Sequence, residues 1–264
     1  MSLNTTLHIG VTNVEILGRA VSEETNQIIE NLCSAFTKPV LFHDISDLPN
    51  RPGFGAISSS DPQKYDVYLD LKLPQDAFEV NILHELFHGK QIESGYPLVC
   101  NKLGCDLFYT GDKAFFEHLG SQISVVVLDL DVIEHINKIN RSNDYFLQSC
   151  IHEFSSFDPQ AFNFGDKYNV AGLACQIALL LLSCDETDKQ RVNEILHPLP
   201  EVLKLSASNI TTIIGSFGFS TPISATQSLG GVIDYFGLWN LYRIFIQGRY
   251  IRTSKEYKDF RESL

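Results

Sequence analysis

Residues 84–88 read His-Glu-Leu-Phe-His, an HExxH run inside a stretch, Asp76 to Glu93, whose apolar spacing predicts a helix. Two imidazoles four residues apart stand on one helical face and can hold a single Zn²⁺. Glu85 sits one step round the helix, where it can take a proton from a water that the metal activates. This is the constellation of zinc-dependent hydrolysis, with His84 and His88 as metal ligands and Glu85 as the catalytic base. Its bland rival is a surface helix that carries two histidines and a glutamate by accident.

The elements that must hold these side chains are partly legible. Pro74-Gln75-Asp76 opens the helix, with Asp76 as its cap and Glu79 three residues on. Val80, Leu83 and Phe87 recur at helical spacing, so the element is buried along one side, and Ser94-Gly95-Tyr96-Pro97 ends it. Upstream, Asp66 to Leu73 alternates apolar and polar residues, which predicts a half-buried strand. Val40 to His43 is a second, short apolar strand, Ser22 caps a helix that runs to about Phe36, and the Gly- and Ser-rich stretch from Pro49 to Ser60 reads as a loop.

The order strand, helix, strand, loop, strand, HExxH helix resembles the N-terminal half of the zincin metallopeptidases. The resemblance covers about residues 1–142, and the five-residue motif is its specific part. It implies that His84 and His88 bind zinc and that Glu85 is the general base. It also implies a small twisted sheet on the metal-binding helix, with an edge strand along the cleft for a peptide or protein substrate. The metzincin extension HExxHxxGxxH is absent, because Gln91 and Ser94 stand at its Gly and third His positions.

A catalytic zinc needs a third protein ligand and an open position. In the glutamate-ligand zincins that ligand lies on a second helix, and here the apolar stretch from about Asp112 to Asn140 is the best helix for it. Glu117, His118, Asp129, Asp131 and Glu134 compete on it. Asp129 is favoured, because it falls in line with His118 and Gln122 on a face that also carries Val125, Val126, Ile133 and Ile136, where an acid needs a partner. Glu117 comes next, 29 residues after His88, although Ser121 breaks the usual ExxxD pairing; His118 is third. Asp129 paired with His118 or with a buried backbone group is the structural alternative. Tyr68, Tyr96, Tyr109 and His152 are each able to stabilise an oxyanion, and no spacing chooses among them.

The whole chain has 264 residues, 44% hydrophobic and 20% charged, as an ordinary globular protein does. A formal charge of −12 excludes an extended phosphate-binding surface, so no nucleic-acid partner is expected. No membrane partner is expected either: Val170 to Leu182 is too short to span a bilayer, and Met1 to Leu17 lacks the pattern of a signal peptide. Six cysteines without a CxxC pair point to reduced thiols and a cytoplasmic setting.

The expected fold class is α+β: a small sheet on the HExxH helix and a second buried helix, followed by a helical C-terminal part. The expected division is 1–142, a zincin-like domain, and 143–264, mainly helical. In the latter, Val170–Cys184, Lys189–Leu196 and an aromatic-rich Gly230–Gln247 read as helices, Ser206–Leu229 as a helix pair or a loop over the cleft, and Arg249–Arg261 as a solvated helix end. The functional expectation is a zinc-dependent peptidase. Its alternative is a zincin-like regulatory or binding protein with little catalytic activity. Nothing in the sequence sets an oligomeric state.

Overall fold

The computed structural model describes residues 5–6, 15–48, 54–102, 113–155, 157–158, 160 and 162–264. The elements run β1 (Thr5–Thr6), β2 (Glu15–Ile16), β3 (Arg19–Ala20), α1 (Glu23–Ser34), β4 (Val40–Asp44), β5 (Gly55–Ser58), β6 (Tyr65–Leu69), α2 (Gln75–Glu93), β7 (Leu98–Asn101) and α3 (Lys113–Lys138). They continue with α4 (Asp144–Ser155), α5 (Lys167–Ser183), α6 (Glu186–Leu196), α7 (Glu201–Phe217), α8 (Pro222–Tyr235), β8 (Tyr242–Ile246), β9 (Arg249–Ile251) and α9 (Ser254–Glu262). The fold is α+β with a helical C-terminal part. No helix among the described residues is long and apolar enough to cross a membrane.

Chain packing divides the protein into two compact units. The first holds residues 1–94 and 132–145, and the second 95–131 and 146–264. The first unit is therefore assembled from two separate stretches of chain, and a single cut near residue 142 does not describe it.

In the first unit a four-stranded sheet runs in the order β1-β4-β6-β5. β4 and β6 are parallel, from Val40 opposite Tyr65 to Asp44 opposite Leu69, while β5 lies antiparallel on β6 at the edge. Val67 and Leu69 are fully buried, while on the opposite face Tyr68 is half-buried and Asp66 is 8% exposed, accepting from Lys64 at 2.7 Å and lying 2.6 Å from His43 Nε2. The strand expected over Asp66–Leu73 ends at Leu69, and its polar face is half-buried at Tyr68 and largely covered at Asp66. Its polar positions survive burial because they are paired.

Two further expectations are corrected here. Gly55–Ser58, read as part of a loop, is the edge strand β5; its small residues carry no strand periodicity, and only backbone pairing with β6 reveals it. Residues 49–53 of that expected loop lie outside the described residues. At the start of α2, Asp76 is not the cap: Pro74 holds the N-cap position and makes no side-chain cap bond. Glu79 instead reaches across to α1, accepting from the Ser22 hydroxyl (2.5 Å), the Thr25 hydroxyl (2.5 Å), the Ser22 N–H (3.0 Å) and the Gln75 amide (3.0 Å). From the second chain stretch, Arg141 joins this network, donating to Thr25 at 2.9 Å and to Glu24 at 3.1 Å. Below the sheet, Phe78, Ile82, Leu83 and Leu86 of α2 are fully buried and form the floor on which the site residues stand.

In the second unit α5 is buried along Val170–Ala178 and packs on α7. The stretch Ser206–Leu229 is the helix pair, α7 and α8, with Thr221 and Ser224 closing a reciprocal capping box at the junction. The aromatic-rich segment is not one helix. α8 ends at Tyr235, Gly237 takes a φ of 65°, and Tyr242–Ile246 becomes β8, central in the antiparallel sheet β7-β8-β9. Tyr242, Ile244 and Ile246 alternate with half-buried Arg243 and Phe245, a period of two hidden within three-residue aromatic steps. The basic tail forms β9 and α9, anchored by buried Tyr257 and Phe260.

Candidate metal centre

α2 delivers both histidines from its half-exposed side. Their Nε2 atoms lie 3.1 Å apart, with the rings edge to face at 4.8 Å between centroids. Two nitrogens bound at about 2.0–2.1 Å to one tetrahedral ion stand about 3.3 Å apart, so the pair already has the spacing of one edge of a zinc coordination shell.

α3 is one continuous helix, and its final turns from Val132 belong to the first unit, where the Phe87 and His135 rings are 5.1 Å apart. Asp129 stands on the turn just before them. One ligand atom each from His84, His88 and Asp129 lie within 4.8 Å of one another. The other acids and the histidine weighed for this role are placed differently. Glu117 is exposed and faces Lys113 at 3.6 Å, His118 is exposed and bonded to Gln122 at 2.8 Å, and Glu134 faces Lys138 at 3.3 Å. Asp131 is buried on α3 and is not among the converging donors. Two imidazole nitrogens and one carboxylate oxygen are donors of the kind that a three-ligand zinc site with an open position uses. On that chemistry the residues present fit the ion.

Glu85 is 5% exposed, and an edge strand holds its place. A Cβ built on Gly55 of β5 would come 2.8 Å from Glu85 Oε1 and 2.8 Å from Asn81 Oδ1. Contacts that short do not occur, so with any larger residue at position 55 the Glu85 and Asn81 side-chain ends would have to move from their present places. Asn81, 2% exposed, ties the two elements by donating from Nδ2 to the Phe54 carbonyl at 2.9 Å. Farther along, Gly89 of α2 faces Ile57 of β5 and Phe36, again with no room for a Cβ. β5 thus runs along α2 past Asn81, Glu85 and Gly89.

Three contributors were missed in the sequence. Gly55 and Asn81 have no motif, and only the proximity of β5 gives them a role. Gln91 was counted as a departure from the metzincin pattern, yet it is buried at 5% and its Oε1 sits 2.9 Å from His88 Nδ1. Its place three residues after His88, on the same helical side, is the signal that points to it. Among the oxyanion candidates, Tyr68 stacks on His43 and His152 is exposed on α4, while Tyr109 lies outside the described residues. Tyr96 packs at the margin of the second unit's core. No family model, no curated protein and no solved structure matches the chain.

Proposed function

We propose that the chain is a zinc-dependent peptidase of the HExxH type. The observation that carries this reading is the convergence of His84 and His88 of α2 with Asp129 of α3 within 4.8 Å, with the neighbouring Glu85 of α2 buried and close to the edge strand β5. A bound zinc supplies a Lewis acid that works at neutral pH. Glu85 then accepts the proton of the attacking water on its carboxylate and returns it to the departing amine nitrogen. The same three donors would also suit ferrous iron. Hydrolysis is favoured over iron chemistry by Glu85, since redox chemistry has no need of a buried carboxylate beside the ligands.

Peptide is the favoured substrate class because β5 ends its sheet among the described residues and lies against the general base. An extended chain that pairs with that edge would bring its carbonyl carbons toward Glu85.

Elemental analysis of the purified chain tests the metal, with about one zinc per molecule expected. His84→Ala with His88→Ala should abolish it, and Asp129→Ala should weaken it sharply, while Glu117→Ala and His118→Ala keep it. Glu85→Gln should retain zinc and lose two to four orders of magnitude in peptide cleavage, the usual worth of a general base. Zinc retained in the double histidine variant would end the proposal. Full zinc content without cleavage of any peptide in a degenerate library would turn it toward a binding role.

A further inference from the structure

Gln91 faces His88 in a way that fixes where the ring carries its proton. The atom 2.9 Å from His88 Nδ1 is the side-chain oxygen of Gln91, and an amide oxygen only accepts. With that oxygen as its neighbour, Nδ1 is the nitrogen suited to hold the hydrogen, which leaves Nε2 with its lone pair. In that tautomer the Nε2 lone pair faces His84 Nε2, 3.1 Å away. Gln91 is buried, and it stands one turn beyond His88 on a helix packed along Phe78–Phe87, so its carboxamide has little freedom to turn away.

We infer that Gln91 is a positioning residue for the metal centre: it selects the Nδ1–H tautomer of His88 and aims Nε2 at the ion. Outer-shell partners of this kind commonly raise metal affinity about 10–100-fold. The inference rests on the metal reading of His84, His88 and Asp129, and adds a fourth residue to it. It also gives the departure from the metzincin spacing a purpose, because the glycine of that pattern could not reach His88.

The test uses the full chain, ¹⁵N-labelled and metal-free, with the His88 ring nitrogens assigned by their loss in His88→Asn. Long-range ¹H–¹⁵N correlation should show a protonated Nδ1 and a lone-pair Nε2 in the wild type. In Gln91→Leu the ring should shift to the Nε2–H form, and zinc affinity, read by competition with a chromophoric chelator, should fall about 10–100-fold. Gln91→Glu, which keeps an acceptor at the same place, should retain both the tautomer and the affinity to within a few fold. That rescue separates aiming from mere packing, and it stands if Gln91→Leu fails to fold. An Nε2–H form of His88 in the wild type, or loss of the Nδ1–H form in Gln91→Glu, would overturn the inference. So would unchanged tautomer and affinity in Gln91→Leu. A wild type that binds no zinc defeats the metal reading instead, and the tautomer measurement then still decides whether Gln91 governs His88.

Discussion

Gly55 has no side chain and yet determines where the Glu85 carboxylate rests. Adding a methyl group there would meet the far end of a flexible Glu85 side chain and the Asn81 amide, both able to swing away. Gly55→Ala should therefore cost little stability, within about 1 kcal/mol, while displacing the Glu85 carboxylate that the proposed reaction uses. A displacement of about 1 Å is worth on the order of a hundredfold in rate, so peptide cleavage should fall by that amount with zinc content unchanged. Parallel elemental analysis and peptide assays check both halves, and an alanine variant with full activity would show that Glu85 does not depend on β5. At this scale the sequence was unevenly readable. His84, Glu85 and His88 follow from helical geometry within five residues, and Asp129 from one apolar stripe. Gly55, Asn81 and Gln91 act through contacts that cross elements or turns, and no local periodicity marks them.

Among the elements, the junction of α1 and α2 is held by a buried charge. Burial by itself raises the Glu79 carboxyl, but the Ser22 and Thr25 hydroxyls, the Gln75 amide and the Ser22 N–H together outweigh it and hold the group below its ordinary value of 4.5. A carboxyl lowered in the folded state stabilises the fold at pH above the unfolded value, and that contribution is lost as pH falls through the folded value. Chemical denaturation should accordingly show stability declining below about pH 4.5, with a shallower decline in Glu79→Gln. At neutral pH, Glu79→Ala should cost about 2–4 kcal/mol, because Ser22, Thr25 and Arg141 lose a charged partner at once. An unchanged denaturation midpoint would show that the network is ornamental. Element boundaries followed the same division as the residues. α1 announces itself by period and cap and α2, α3 and α5 by their apolar residues, whereas β5 and β8 take their conformation from the strands beside them.

For the whole molecule, the sequence supported the α+β class but not the way the chain is shared between its units. Residues 95–131 belong with the C-terminal part, and only the contacts of Val132–Tyr145 show that the chain returns. Thiol chemistry is a property of the molecule as a whole. Burial pushes Cys33 and Cys184 up to about 11 and raises Cys175 further still. At pH 8 the thiolate fraction of the first two is about a hundredfold below that of a thiol of ordinary pKa. Iodoacetamide labelling of the native protein, read by mass spectrometry, should therefore spare these three cysteines until denaturant is added. Rapid labelling of Cys175 would mean that α5 opens readily.

Arg141 reaches Ser22, Thr25 and Glu24 from more than a hundred residues away. During synthesis, α1 and α2 emerge long before the arginine that completes their clasp. At about 5–20 residues per second, the N-terminal segment spends on the order of several seconds with Glu79 lacking Arg141, whose Nη2 lies 3.9 Å from its Oε2 in the finished fold. A chain stalled after residue 94 should accordingly stay sensitive to protease on the ribosome, and one stalled well past residue 145 should not. The order in which this protein is made would then decide when the helix that carries His84 and His88 first becomes fixed.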